Sequence, residues 1–171
     1  MKRFIFALVF ILIILSSASA QAKKECVVEG TIDTIVQNMN LIAEMLNLLG
    51  DRIGPEIDVN KCSFEITNYQ KGLYTCPINA STGMWVFTDK YLNAEVIQIY
   101  GPAENDKPKK TTYDWAYVAS NYACMNMKMP DVEDMFISAW NNGYYENSNI
   151  EFICGIDPYL DNTWVYIIAN K

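Results

Sequence analysis

Between residues 31 and 50 the sequence TIDTIVQNMNLIAEMLNLLG places Ile32, Ile35, Val36, Met39, Ile42, Ala43, Leu46 and Leu49 at three- and four-residue intervals. That spacing lines up one side of a helix. Gln37, Asn40, Glu44 and Asn47 fall on the other side. Thr31 suits the start as a cap, Asp33 suits the positive end of the helix dipole, and Gly50 supplies a left-handed stop. From residue 61 to 100 the apolar period drops towards two, in the short β-branched and aromatic runs KCSFEIT, GLYTCPI, GMWVFT and AEVIQIY. Turn-rich stretches separate them, as in four antiparallel strands. A one-sided helix and one-sided strands must cover each other, which makes helices layered on an antiparallel sheet the economical solution.

The second half repeats both periods. GPAENDKPKK breaks the strand pattern with Pro102 and Pro108, and its basic cluster at 107–110 predicts a solvated loop. Thr111 and Asp114 resemble a capping box. Trp115, Val118, Ala119, Tyr122 and Met125 fit a helix ending by Pro130, although WAYVAS also reads as a strand, and Met125, Met127 and Met129 alternate as a half-buried strand would. DVEDMFISAWNNG is a further helix with Val132, Met135, Phe136, Ala139 and Trp140 on one face and Gly143 at its stop. NIEFICGI and TWVYIIAN then form two strands around DPYLDN, the last apolar enough to be central. The prediction is a single α+β domain: an antiparallel sheet of about six strands with two to three amphipathic helices packed on it.

Ahead of this domain, Lys2 and Arg3 precede an apolar run over 4–15 and the small residues Ala18, Ser19 and Ala20. These are the three parts of a secretory leader, and the run is shorter than the roughly 20 residues of a membrane span. Residues 1–20 therefore predict a signal peptide, 21–171 the secreted domain, and no transmembrane segment after cleavage. Removal of Lys2 and Arg3 leaves 11 basic residues against 20 acidic ones, so the charge falls from −7 to −9. With Arg52 as its one remaining arginine, the mature chain has no basic stripe for nucleic acid.

An oxidising destination gives the five cysteines a role. Cys62 and Cys76 flank a predicted hairpin that would bring them together, and Cys124 with Cys154 is the expected second bridge. Cys26 is then left over, free or joined to another chain. The same destination makes Asn79-Ala80-Ser81 a glycosylation acceptor, bracketed by Pro77 and Gly83 in a turn-like loop.

The chain has no histidine. Ser-His-Asp and Cys-His catalysis and imidazole metal sites are therefore excluded in their usual forms, and no phosphate-binding glycine loop is present. No cofactor and no metal is expected. Carboxylate chemistry of the glycosidase kind survives, with Glu65 and Glu95 inside apolar strands as the residues to watch. Asp157, Asp161 and Glu151 match no EF-hand spacing. Four tryptophans and eleven tyrosines favour binding: Trp140 and Trp164 are assigned to the core, and Trp85, Tyr144 and Tyr145 to exposed contacts. The leading expectation is a secreted, acidic, disulfide-bonded, non-enzymatic protein that binds a small apolar ligand or an extracellular protein. The alternatives are a carboxylate-dependent glycan hydrolase and a disulfide-linked homodimer with a structural or signalling role.

Overall fold

A computed structural model of the chain describes residues 26–67 and 71–171; the predicted leader lies outside them. The element order is α1 (Ile32–Leu48), a 3-10 turn (Val59–Lys61), β1 (Ser63–Ile66), β2 (Gly72–Pro77), β3 (Gly83–Thr88), β4 (Ala94–Glu104), β5 (Lys107–Pro108), α2 (Lys110–Ala123), α3 (Met129–Asn142), β6 (Tyr144–Glu146), β7 (Ile150–Ile156) and β8 (Thr163–Asn170). All strand pairings are antiparallel, in the order β1-β2-β3-β4-β8-β7-β6, with β5 folded back on β4. The predicted α+β class is correct. Two short strands, β5 and β6, were not anticipated, because two or three residues show no period.

The helices cover one face. Along β3, β4, β8 and β7, the buried residues Met84, Val86, Ile97, Ile99, Tyr166, Ile168, Phe152 and Ile150 point to that face. Trp115 and Phe136 from α2 and α3 are buried with them in one continuous core. Tyr166 is its polar centre: its hydroxyl lies 2.7 Å from the Ser120 Oγ, and its ring packs against Phe136 and Phe152. Gly101 of β4 lets α2 approach closely, since a Cβ there would lie 2.0 Å from the Thr112 Oγ1. Trp140 and Trp164 stack at 5.3 Å against this core, as assigned from sequence.

Several local expectations give way to tertiary contacts. Leu49 is not part of the buried stripe: α1 stops packing at Leu46, and Leu48 and Leu49 are 82% and 73% exposed. Asn40 and Asn47 are clamps as well as polar-face residues. Each side-chain amide makes a reciprocal pair with one backbone residue, Asn40 with Ile57 and Asn47 with Ile53, at 2.6–3.0 Å. The pair straps the 51–58 segment along the helix. The break at GPAENDKPKK is a hairpin tip, not a loop: Asn105 and Asp106 both take positive φ, and β4 runs on into β5. No capping box forms at Thr111; Lys109 begins α2 without a side-chain cap, and Asp114 is paired with Lys110 at 2.5 Å. Met125, Met127 and Met129 form no strand. They lie in the turn from α2 to α3 and at the first residue of α3, with Pro130 tolerated in its first turn.

The disulfide pattern is partly as predicted. Cys62, between the 3-10 turn and β1, is bonded to Cys76 of β2, but the second bridge joins Cys26 to Cys124, and Cys154 is free. Both corrections follow from the ends of the domain. Val27 N–H donates to the Ala123 carbonyl, and Asn170 makes a reciprocal amide pair with Val28, so the N-terminal segment is laid against the end of α2 and the end of β8. Cys26 is therefore at Cys124 and fully buried, not at the end of an arm. Cys154 is on β7 under α3, its thiol donating to the Ala139 carbonyl at 3.1 Å.

Candidate functional site

The sheet has a second face, and no described element packs on it. Alternation places Leu73 and Thr75 of β2, Trp85 and Phe87 of β3, Val96, Gln98 and Tyr100 of β4, Val165 and Ile167 of β8, Ile153 of β7 and Tyr144 of β6 there, because each is register-paired across the strands and opposite in phase to the core residues. Most are half-buried by their neighbours; Ile153 and Tyr144 are 41% and 43% exposed. At the centre Trp85 packs on Tyr100 with ring centroids 4.6 Å apart. Burial raises the Tyr100 hydroxyl above the ordinary phenol range, offset in part by a hydrogen bond from Trp85. Gln98, between Trp85 and Ile167, is only 9% exposed although it faces outward. The ion pairs Lys71–Glu95 (2.6 Å) and Lys171–Glu146 involve residues of, or next to, four of these strands.

Two of the three aromatic contacts picked from sequence, Trp85 and Tyr144, thus share one surface. Tyr145 does not: it is on the other side of β6, half-buried against Phe152 at 6.0 Å. Phe87, Val96, Tyr100 and Ile167 were missed. Their strands read as alternating, but nothing in the sequence says which face the helices will take.

Comparison of the chain with protein-family models, curated proteins and solved structures finds no match.

Clefts of ligand size lie elsewhere. One of about 380 Å³ runs between α1, α2 and α3, walled by Tyr113, Tyr117, Phe136 and Met129, with Asp51, Asp114 and Glu133 among them. Burial raises the Asp114 carboxyl, opposed by its bond and charge interaction with Lys110, and also raises the Tyr113 and Tyr117 hydroxyls, with Glu133 adding repulsion at both. Glu65 and Glu95 line no such cleft: Glu65 is exposed on the edge strand β1, and Glu95 is half-buried in its ion pair with Lys71. Asn79 is exposed in the β2–β3 turn, where its Oδ1 accepts from the Ser81 and Thr82 backbone N–H groups at 2.8 and 2.7 Å.

Among the described residues no helix is long and apolar enough to cross a membrane. Two intramolecular disulfides fit an extracellular protein.

Proposed function

We propose that this is a secreted binding protein whose contact surface is the open face of the sheet, and that its partner is another extracellular protein. The observation that carries this reading is the run of apolar and aromatic side chains across six adjoining strands, with Trp85 and Tyr100 packed together within it and ion pairs at residues of, or next to, four of those strands. Interface hot spots have this composition: a cluster of Trp and Tyr amid aliphatic residues, with charge at the rim. Shape favours a protein partner over a small apolar ligand. A small apolar ligand needs a concave pocket that buries most of its surface, whereas the ligand-sized cleft described above lies among the helices. The leader-like segment 1–20, the disulfides and the turn-borne sequon at Asn79 all support export, with a glycan on Asn79.

The test is site-specific photocrosslinking from position 153 in the native extracellular fluid, with position 109 on the helical side as control. One discrete adduct from position 153, absent from position 109 and lost with Trp85→Ala in a protein that still melts normally, is the expected result. Equal crosslinking from both positions would sink the assignment.

A second reading rests on the aromatic cleft. Asp114, whose carboxyl burial raises against its ion pair with Lys110, would serve as the general acid, and Glu133 or Asp51, which line the same cleft, as the second carboxylate that glycan hydrolysis requires. Release of reducing ends from a polysaccharide panel, abolished by Asp114→Asn, would establish it; activity unchanged in that variant would remove it.

A further inference from the structure

The methionines divide into two populations. Of eight in the chain, Met1 lies outside the described residues, and Met39, Met84 and Met135 are buried in the core. The remaining four, Met45, Met125, Met127 and Met129, all line one groove of about 400 Å³ between α1 and the turn from α2 to α3. Met45 and Met125 are half-exposed, at 50% and 55%. Met127 is half-buried, its Sδ 3.3 Å from the Sγ of disulfide-bonded Cys26. Leucine would fill an apolar groove as well as methionine does; what four methionines add is four thioether sulfurs.

We propose that this groove is a binding site for a soft monovalent cation of the Cu(I) and Ag(I) class, held by thioethers. Met125 and Met127 stand on the turn between α2 and α3, Met129 is the first residue of α3, and Met45 lines the groove from α1. Thioethers are neutral, polarizable donors that select Cu(I) over hard cations. The groove's other lining residues are Ile42, Asn121 and Cys124, so it offers no carboxylate to calcium or magnesium. Competing soft ligands are scarce. The chain has no histidine, four cysteines are in disulfides, and Cys154 is buried under α3. Among the described residues no group of His, Cys, Asp and Glu is arranged to hold a metal. Asp131 and Asp134 line the adjoining cleft beyond Met127 and add negative potential without a hard ligand inside the groove. Thioethers do not titrate, so the site keeps its ion at acidic pH, where imidazole and carboxylate sites release theirs.

The experiment titrates Ag(I), a redox-stable probe, into the oxidised secreted protein in chloride-free buffer. Native mass spectrometry counts the bound ions, and methyl NMR of 13C-labelled methionine locates them. One bound ion, with shifts at Met45, Met125, Met127 and Met129 and none at Met39, Met84 or Met135, is the expected result. Binding should be the same at pH 5 and pH 7, and Zn(II) should not compete. The Met125→Leu, Met127→Leu, Met129→Leu triple variant keeps the apolar packing and should lose about tenfold or more in affinity, since even outer-shell changes weaken metal sites on that scale. Unmoved groove methyls, or undiminished affinity in the triple variant, overturns the proposal. Should the triple variant fail to fold, Met45→Leu and the wild-type methyl shifts decide the question on their own.

Discussion

Cys154 shows how one residue's environment settles its chemistry. Burial pushes its thiol up to about 11, so at neutral pH it is neither a nucleophile nor a cross-linking group. A thiol reagent at pH 8 should find no reactive group in the native protein and one per chain in denaturant; rapid labelling of the folded protein would contradict this burial. Tyr122 and Tyr166 behave likewise. Burial, with repulsion from Glu29, raises Tyr122 to about 12, and complete burial raises Tyr166 higher still. The folded chain therefore holds protons that the unfolded chain releases at about pH 8.5 for cysteine and about pH 10 for tyrosine. Stability from these groups is fully present below about pH 8.5 and is lost as pH rises through the native values. A urea midpoint flat from pH 7 to about 8, falling gently from about pH 8.5 as the cysteine contribution is lost and steeply above about pH 10, is expected; a midpoint still flat at pH 11.5 would show that the tyrosines are accessible. The asparagine clamps make a further prediction at this scale. Asn47→Asp replaces the donor facing the Ile53 carbonyl with an acceptor and should cost about 1–3 kcal/mol, read by urea unfolding, with the 51–58 backbone amides exchanging faster.

At the scale of elements, the two disulfides staple very different spans. Cys62–Cys76 closes 14 residues of hairpin, whereas Cys26–Cys124 closes 98 and pins the segment before α1 to the end of α2. Loop-closure entropy gives about 3 kcal/mol for the short loop and about 4.7 kcal/mol for the long one. Replacing Cys26 and Cys124 together by serine should therefore lower stability more than replacing Cys62 and Cys76; the reverse order in urea would mean that the N-terminal segment is not held as described. The contact between β4 and α2 is equally specific. Gly101→Ala places a methyl group against Thr112 and Thr82 and should cost about 1–3 kcal/mol by overpacking. The helix and strand periods were legible because each element's one-sidedness is local. Hairpin continuation through Asn105 and Asp106, the start of α2 at Lys110 and the strand at β6 were not, since backbone pairing with distant residues decides them.

At the scale of the whole molecule, three helices on one side of a twisted antiparallel sheet leave the other side open, and the proposed interface is that remainder. Secretion makes its own prediction: the exported protein should have the mass of residues 21–171, less the hydrogens of two disulfides, plus a glycan removed by deglycosylation and missing from Asn79→Gln. Retention of the first twenty residues would end the leader assignment. The sequence by itself determined the α+β class, the periods of the main helices and strands, the pairing of Cys62 with Cys76 and the absence of histidine chemistry, because these depend on residues near one another or on composition alone. Tertiary structure decided that Cys26 meets Cys124, that Trp85 shares a face with Tyr144 but not Tyr145, and that four methionines converge on one groove. Each of these depends on which sheet face the helices cover and where the chain's ends are tied, and those are set by packing between residues as much as 142 positions apart.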